Sequence, residues 1–346
     1  MTREAPPVAE LPDSVVKNLL ETSTTSELRP GYEGANIGTI IGFKHVNYLI
    51  EQGIIEHFRA AGAPVGRLYD EHGLGFDLLE LDTRLQTALL VDDIAAVEVV
   101  PHTPSDSTEF VFKVQIRVVR DDAEKKAVTS TARAVLRRDD RVTDPDPIPE
   151  ELGRFVTDHI GNQVAESFDA APAVGHATAQ ELSTDRGVSD DPVIARLTEG
   201  RNAFGWKWRM PYFYCHFFER VQMSGYLRQM EEVVDRFLAA RGLSIKPMLD
   251  ERNWIPAVTR SHVRILDETV MEEELYTVYT VESIFKDLLY TSTMDCYVLR
   301  EGRLLHTATG TITHAYGVVE NGREGRLVNF DDRVLRALEG SRTGTE

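Results

Sequence analysis

Two stretches of the chain space their apolar residues with the period of a helix buried along one side. From His45 to Ala61 the apolar positions are Val46, Leu49, Ile50, Gly53, Ile54 and Phe58, and Gly62 follows as a terminator. From about Ser224 to Arg241 they are Tyr226, Leu227, Met230, Val233, Val234, Phe237 and Leu238. Runs rich in Val, Ile, Thr and Phe follow the first stretch at Leu78 to Leu81, Ala88 to Val100, Glu109 to Arg120 and Ala127 to Leu136. Similar runs follow the second at Ile255 to Leu266, Glu273 to Ser283, Tyr290 to Arg300 and Leu304 to Val318. Alternation is clearest at Phe110, Phe112, Val114, Ile116 and Val118, which marks a strand with one face buried. The pattern predicts a long helix followed by about four antiparallel strands, twice over.

The two halves share one register. Adding 180 carries Glu51 to Glu231, Ala60 to Ala240, Gly62 to Gly242, Asp70-Glu71 to Asp250-Glu251, Arg84 to Arg264, Val118 to Val298 and Arg120 to Arg300. Past the turn at Asp121 and Glu301, a shift of 178 aligns Thr129 and Thr131 with Thr307 and Thr309. Such a repeat predicts two homologous domains with any active site where they meet. The expected division is an N-terminal extension (1–30), a first domain (31–140), a linker bearing a helix (141–205), a second domain (206–320) and a tail (321–346). The linker reading rests on Pro145, Pro147 and Pro149 among acids, then on helical spacing from Glu150 to Phe168 through Leu152, Phe155, Val156, Ile160 and Val164. Asp169 to Asp191 reads as loop, and Gly340 to Glu346 as disordered.

Composition narrows the setting. The chain has 346 residues, 42% of them hydrophobic, enough for two ordinary cores. No run of about 18 apolar residues is present, and Met1 to Asp13 lacks the basic and apolar stretches of a secretory signal, so neither a membrane span nor export is expected. Cys215 and Cys296 are too few for a disulfide framework or a cysteine metal site, which points to a cytoplasmic protein without a metal. A net charge of −18 argues against nucleic acid as a partner. It also means that the phosphates of coenzyme A would need local cations. Arg201, Lys207, Arg209 and Arg220 are the candidates, with Trp206 and Trp208 to pack on adenine; the competing reading is an ordinary solvated strand.

The pattern Val46-Asn47-Tyr48-Leu49 with Glu51, and its partner Ser224-Gly225-Tyr226-Leu227 with Met230-Glu231-Glu232, resembles the hotdog-fold acyl thioesterases, the group that includes hydroxybenzoyl-CoA thioesterases. The resemblance covers about Gly31 to Asp139 and Phe213 to Val319. It implies an α+β fold of two tandem hotdog domains, each a curved antiparallel sheet wrapped around a long central helix, with thioesters bound at the seam. It further implies a substrate carried on CoA or on the phosphopantetheine of an acyl carrier protein, no other cofactor, a place in polyketide or fatty acid metabolism, and room for a homodimer of double hotdogs. Thioesterases of enediyne polyketide pathways look similar around Asn36 and Val46-Asn47-Tyr48-Leu49 with Gln52-Gly53. They are single-domain, however, and two extra residues separate Asn36 from the helix here.

Hydrolysing a thioester requires a base for the attacking water and fixed donors for the developing oxyanion. Helix amino termini near Phe43 to Asn47 and Gln222 to Gly225 can supply the donors. In many hotdog thioesterases the acid is an Asp in the loop before the helix. Here Asn36 takes that place in the first repeat and His216 or a neighbour in the second, and an amide cannot take a proton at neutral pH. The remaining candidates are Glu219 just ahead of the second helix, His216 itself, and Glu51 and Glu231 on otherwise apolar helix faces, where an unpaired charge is costly. The plainer readings are a cap or surface role for Glu219, a structural His216, and salt bridges from Glu51 and Glu231 to Arg84 or Arg264. Cys215 among Tyr212, Phe213, Tyr214, Phe217 and Phe218 reads as a packed thiol, the aromatics as packing or an acyl tunnel.

Because the two loops differ, one productive and one degenerate site are expected, with the ionisable chemistry in the second loop. Hydrolysis of an acyl thioester is the leading function. Hydration or dehydration of an enoyl or hydroxyacyl thioester, by His216 with Glu219 or Glu231, is the alternative. A non-catalytic acyl-binding protein is the third.

Overall fold

The computed structural model describes residues 11–36, 38–161, 164–167, 187–217, 219–320 and 323–340. The first unit runs α1 (Asp13–Glu21), β1 (Thr24–Leu28), a 3-10 turn (Tyr32–Gly34), α2 (Phe43–Ala61), α3 (Val65–His72), β2 (Leu74–Leu85), β3 (Ala95–Pro101), β4 (Phe110–Arg120) and β5 (Ala123–Arg138). A connection follows with a 3-10 turn (Glu150–Phe155), β6 (Val156–Thr157), β7 (Val164–Ser167) and α4 (Pro192–Thr198). The second unit contains β8 (Ala203–Arg209), a 3-10 turn (Tyr212–Tyr214), the short ribbon β9 (Cys215–His216) and β10 (Arg220–Val221), and then α5 (Met223–Ala240). It continues with α6 (Ile245–Arg252), β11 (Trp254–Ile265), β12 (Glu274–Phe285), β13 (Leu289–Arg300) and β14 (Arg303–Glu320). β15 (Arg323–Val328) and α7 (Asp332–Glu339) end the described chain.

The 180-residue offset holds for elements as well as residues. The 3-10 turns, α3 and α6, and β2 and β11 superpose in number to the residue. It does not change past the hairpins. Both turn on a pair of positive-φ residues, Asp121 and Asp122 (52° and 58°) against Glu301 and Gly302 (51° and 74°), the geometry that suits the twist of a two-residue hairpin. Both then carry one bulge at matching places, after Ile116 and after Cys296. Thr129 therefore faces Arg84 as Thr309 faces Arg264, and the 178-residue match arose because threonine recurs at every second position along β14.

One sheet unites the units, in the order β1-β3-β4-β5-β2-β11-β14-β13-β12-β8. The join is antiparallel, with Arg84 facing Arg260, Asp82 facing His262 and Glu80 facing Arg264. Since 80, 82 and 84 become 260, 262 and 264 by the offset, the pairing is self-complementary about a pseudo-twofold axis at Asp82 and His262, as in an isologous dimer. Arg260 to Asp82 (Nε to Oδ1, 2.9 Å) and His262 to Glu80 (Nε2 to Oε1, 2.8 Å) tie the strands through side chains. Below them the buried Asn47 of α2 donates to Ser261 Oγ of β11 (3.2 Å) and accepts from Thr83 Oγ1 of β2 (2.7 Å), so one helix is bonded to both central strands. A single apolar cluster extends through both units, with Val46, Ile50, Ile54 and Phe58 in one half and Tyr226, Met230, Val233 and Phe237 in the other.

Several expectations change. β1, ahead of residue 31, already pairs with β3, and position 206 falls inside β8. The helix expected over Glu150 to Phe168 is instead a 3-10 turn followed by β6 beside β5 and β7 beside β14. The apolar spacing there reflects burial of Leu152, Phe155 and Ile160 in a strap crossing the seam, where Gly161 bridges Asp267. The tail holds β15 and α7, and α7 contributes the Leu338 and Ala337 carbonyls that accept from Asn202 and Arg241 at the end of α5. The expected loop lies mostly, and the disordered terminus almost wholly, outside the described residues.

Candidate active site at the seam

The loop before α5 is held by backbone bonds from Val221 to the Thr269 carbonyl (2.8 Å) and from Gln222 to the Tyr214 carbonyl (3.0 Å). The helix then begins at Met223, and Gln222 before it provides no side-chain cap. Among the described residues the Met223 and Ser224 amides have no acceptor, as expected for the first turn of an uncapped helix. In the ribbon His216 is paired with Arg220, and Phe217 between them has a φ of 41°, a conformation that side chains with a Cβ resist. Gly75 makes room for it, because a Cβ there would meet both the Phe217 ring and Arg220 Nη2 at 3.0 Å.

This loop of the second unit closes on a carboxylate of the first. Asp77, buried on β2, accepts from His216 Nε2 (2.7 Å) and Arg220 Nη2 (2.9 Å). Burial alone would raise the Asp77 carboxyl, but the His216 hydrogen bond and the charges of His216 and Arg220 bring it below its ordinary value. Arg220 Nε is buried without an acceptor among the described residues. Glu51 of α2 lies within electrostatic reach of His216. It is partly exposed, yet desolvation dominates and raises its pKa against a smaller opposing pull from His216. Glu51 makes no hydrogen bond or ion pair among the described residues.

The pseudo-symmetric seam is built differently. Glu231, the counterpart of Glu51, is ion-paired with Lys44 at the start of α2. The offset exchanges 44 with 224 and 51 with 231, so the position that holds Lys44 beside Glu231 is occupied in the other unit by Ser224, which has no charge to pair with Glu51. Asn36 is the counterpart of His216; it is exposed, and its amide lies against Gly42 at the mouth of α2. Ala257 and Ile40 replace Asp77 and Arg220. Between the seams Arg228 Nε donates to the Tyr48 hydroxyl (3.2 Å), and these two positions are exchanged by the same offset.

The structure thus gathers His216, Glu51 and Arg220 and separates the other candidates from them. Glu219 pairs with Arg141 at the surface, and Glu231 with Lys44, so neither acid expected beside His216 for hydration is left unpaired. Cys215 is a packed thiol whose pKa is pushed up to about 12 by burial. The phosphate-binding patch does not form. Lys207 is paired with Asp191 (2.9 Å), Arg209 donates to the Glu272 carbonyl (3.1 Å), and Arg220 lies at the seam. Trp206 and Trp208 are core residues, and Trp208 Nε1 donates to Gln229 (2.9 Å), so neither offers a face to adenine. Asp77 escaped the sequence reading. Its signal was an acid inside the apolar run Phe76-Asp77-Leu78, the same sign that marked Glu51.

No family model matches the chain, and neither does any curated protein. Solved structures do. A structure from Lactobacillus plantarum that carries the name oleoyl thioesterase aligns over 85% of this chain and 96% of its own, at 11% identity and a TM-score of 0.52. The 12:0-ACP thioesterase of Umbellularia californica aligns over 84% and 93%, at 10% identity and the same TM-score. At such identities the likeness concerns the fold, and it spans both units. The chain has the tandem hotdog fold of these thioesterase structures, two α+β units sharing one curved antiparallel sheet.

Proposed function

We propose that the protein is an acyl thioesterase acting on an acyl-CoA or acyl-carrier-protein thioester, with its productive site at the seam that joins Glu51 to the loop before α5. The observation that carries this reading is Glu51: a carboxyl whose pKa is raised by burial, without a hydrogen bond or ion pair among the described residues, and within electrostatic reach of an imidazole that belongs to the other unit. A perturbed acid beside an oriented histidine is the usual mark of acid–base chemistry. In this reading Glu51 takes a proton from water as the water oxygen attacks the carbonyl carbon. The carbonyl oxygen gains charge against the open amides of Met223 and Ser224, aided by the helix dipole. The carbon–sulfur bond then breaks, the acid departs, and the thiolate takes up a proton. Asp77 holds the Nε2–H of His216, leaving Nδ1 as an acceptor that orients the attacking water, and the proton that Glu51 has taken from the water passes to the departing thiolate. Arg220 balances the Asp77 charge.

Hydrolysis of a panel of acyl-CoA and acyl-carrier thioesters, followed as thiol release, tests the assignment. Glu51→Gln should lower kcat by about 10²–10⁴-fold. Glu219→Gln and Asn36→Ala should remain within a few-fold of the parent. Full activity in Glu51→Gln would remove the mechanism.

A further inference from the structure

The inner face of the second unit's sheet carries buried polar side chains whose contacts stop short of well-formed hydrogen bonds among the described residues. Tyr279 of β12, Ser292 of β13 and His314 of β14 are buried, and the two hydroxyls and both imidazole nitrogens make no well-formed hydrogen bond among the described residues. They form one patch. His314 faces Tyr290 across the strands with the rings stacked at 4.8 Å, Tyr279 lies beside Ser292 and Tyr290, and Phe237 of α5 covers Tyr279 at 5.1 Å. Burial lowers the His314 pKa to about 3, so the ring is neutral and presents one donor and one acceptor.

The first unit serves as an internal control. At the positions 180 residues earlier stand Val99, Phe110, Phe112 and Ala134, all apolar, and Phe155 stacks on Phe110 at 3.8 Å. His57, the counterpart of Phe237, is buried there too, but its nitrogens meet the Thr24 hydroxyl (2.9 Å) and the Leu19 carbonyl (2.9 Å), so the first unit closes this region with its polar atoms paired, whereas the second leaves several without a well-formed partner among the described residues. From Met223 to Phe237, α5 rises about 21 Å, which sets the distance from its open amides to the patch. Met230 and Met294 lie along that line over Gly310, where a Cβ would meet Met230 Cε at 2.5 Å. Thioether side chains are flexible enough to yield to a ligand chain.

We propose that this patch binds a hydroxyl or carbonyl at the far end of the acyl group, so that the substrate is a thioester of a long chain functionalised away from its carbonyl. The path of entry rests on the thioesterase reading; the patch does not. Thermal shift with hexadecanoic acid and its terminally hydroxylated analogue tests it without requiring turnover. The hydroxy acid should bind the parent protein about tenfold more tightly, and the preference should vanish in Tyr279→Phe and in His314→Ala, the latter being the first unit's own solution. Equal shifts from the two acids, no shift from either, or a preference that survives both substitutions would overturn the site. A hydroxy-acid preference in a protein that hydrolyses no thioester would retain the site and dismiss the thioesterase reading.

Discussion

Glu51 sets a conflict between stability and activity. Its carboxyl has a raised pKa in the fold, so folding favours the protonated form. That contribution is fully present below the unfolded glutamate value and is lost as pH rises through the folded one. Glu51→Gln should therefore be more stable than the parent in urea at about pH 8, with the gap closing toward about pH 4. A variant less stable at both would show that the carboxylate is compensated by a partner. Because the base must be ionised, the acid limb of the kcat profile should lie above that of an ordinary glutamate. At this scale the sequence was readable where an acid interrupted an apolar face, as at Glu51 and Glu231. It was silent on which acid is neutralised, since Lys44 meets Glu231 across 187 positions and His216 meets Asp77 across 139. Arg220 looked like a phosphate ligand for the same reason: its carboxylate partner lies in the other unit.

The two long helices were legible nearly to the residue, because a one-sided apolar stripe over five turns has few alternative explanations. α2 begins at Phe43 and α5 at Met223, close to the predicted starts. The strap over residues 150–161 was not, because its buried side chains pack on the sheet edge and the seam at intervals that mimic a helix, and Gly161 takes a φ of 84°. β1 was missed because a short edge strand of Thr, Ser and Glu has little apolar content. Close approach of α2 to the sheet explains a glycine in its middle: a Cβ at Gly53 would stand 2.5 Å from Val97 Cγ1. Alanine gains about 1 kcal/mol of helix propensity there, but overpacking costs about 1–3 kcal/mol, so Gly53→Ala should be neutral to destabilising. Adding Val97→Ala should recover part of any loss, a coupling that chemical denaturation of the double mutant measures. Strict additivity would refute the contact.

Across the whole molecule, one sheet and one core make the units interdependent. Asp77 is one of the charges that join them, since both of its partners belong to the second unit and it lies on β2, the first unit's strand at the join. Removing it would leave Arg220 buried and uncompensated, and Asp77→Ala should cost about 3–5 kcal/mol in urea unfolding. Its own lowered pKa makes the ionised form stabilising above the unfolded aspartate value, a contribution lost as pH falls through the folded one. The duplication was visible at this scale from spaced pairs of residues, and it directed the search for a site to the seam. The asymmetry of the two seams was visible only as unlike loops. Its physical content is that Lys44 neutralises Glu231, while Lys44's counterpart is the uncharged Ser224 and Glu51 makes no ion pair among the described residues. The most direct measurement compares thioester hydrolysis by Glu51→Gln and Glu231→Gln under identical conditions: activity should collapse in the first and persist in the second, whereas equal losses, or loss in Glu231→Gln alone, would contradict a single productive seam at Glu51.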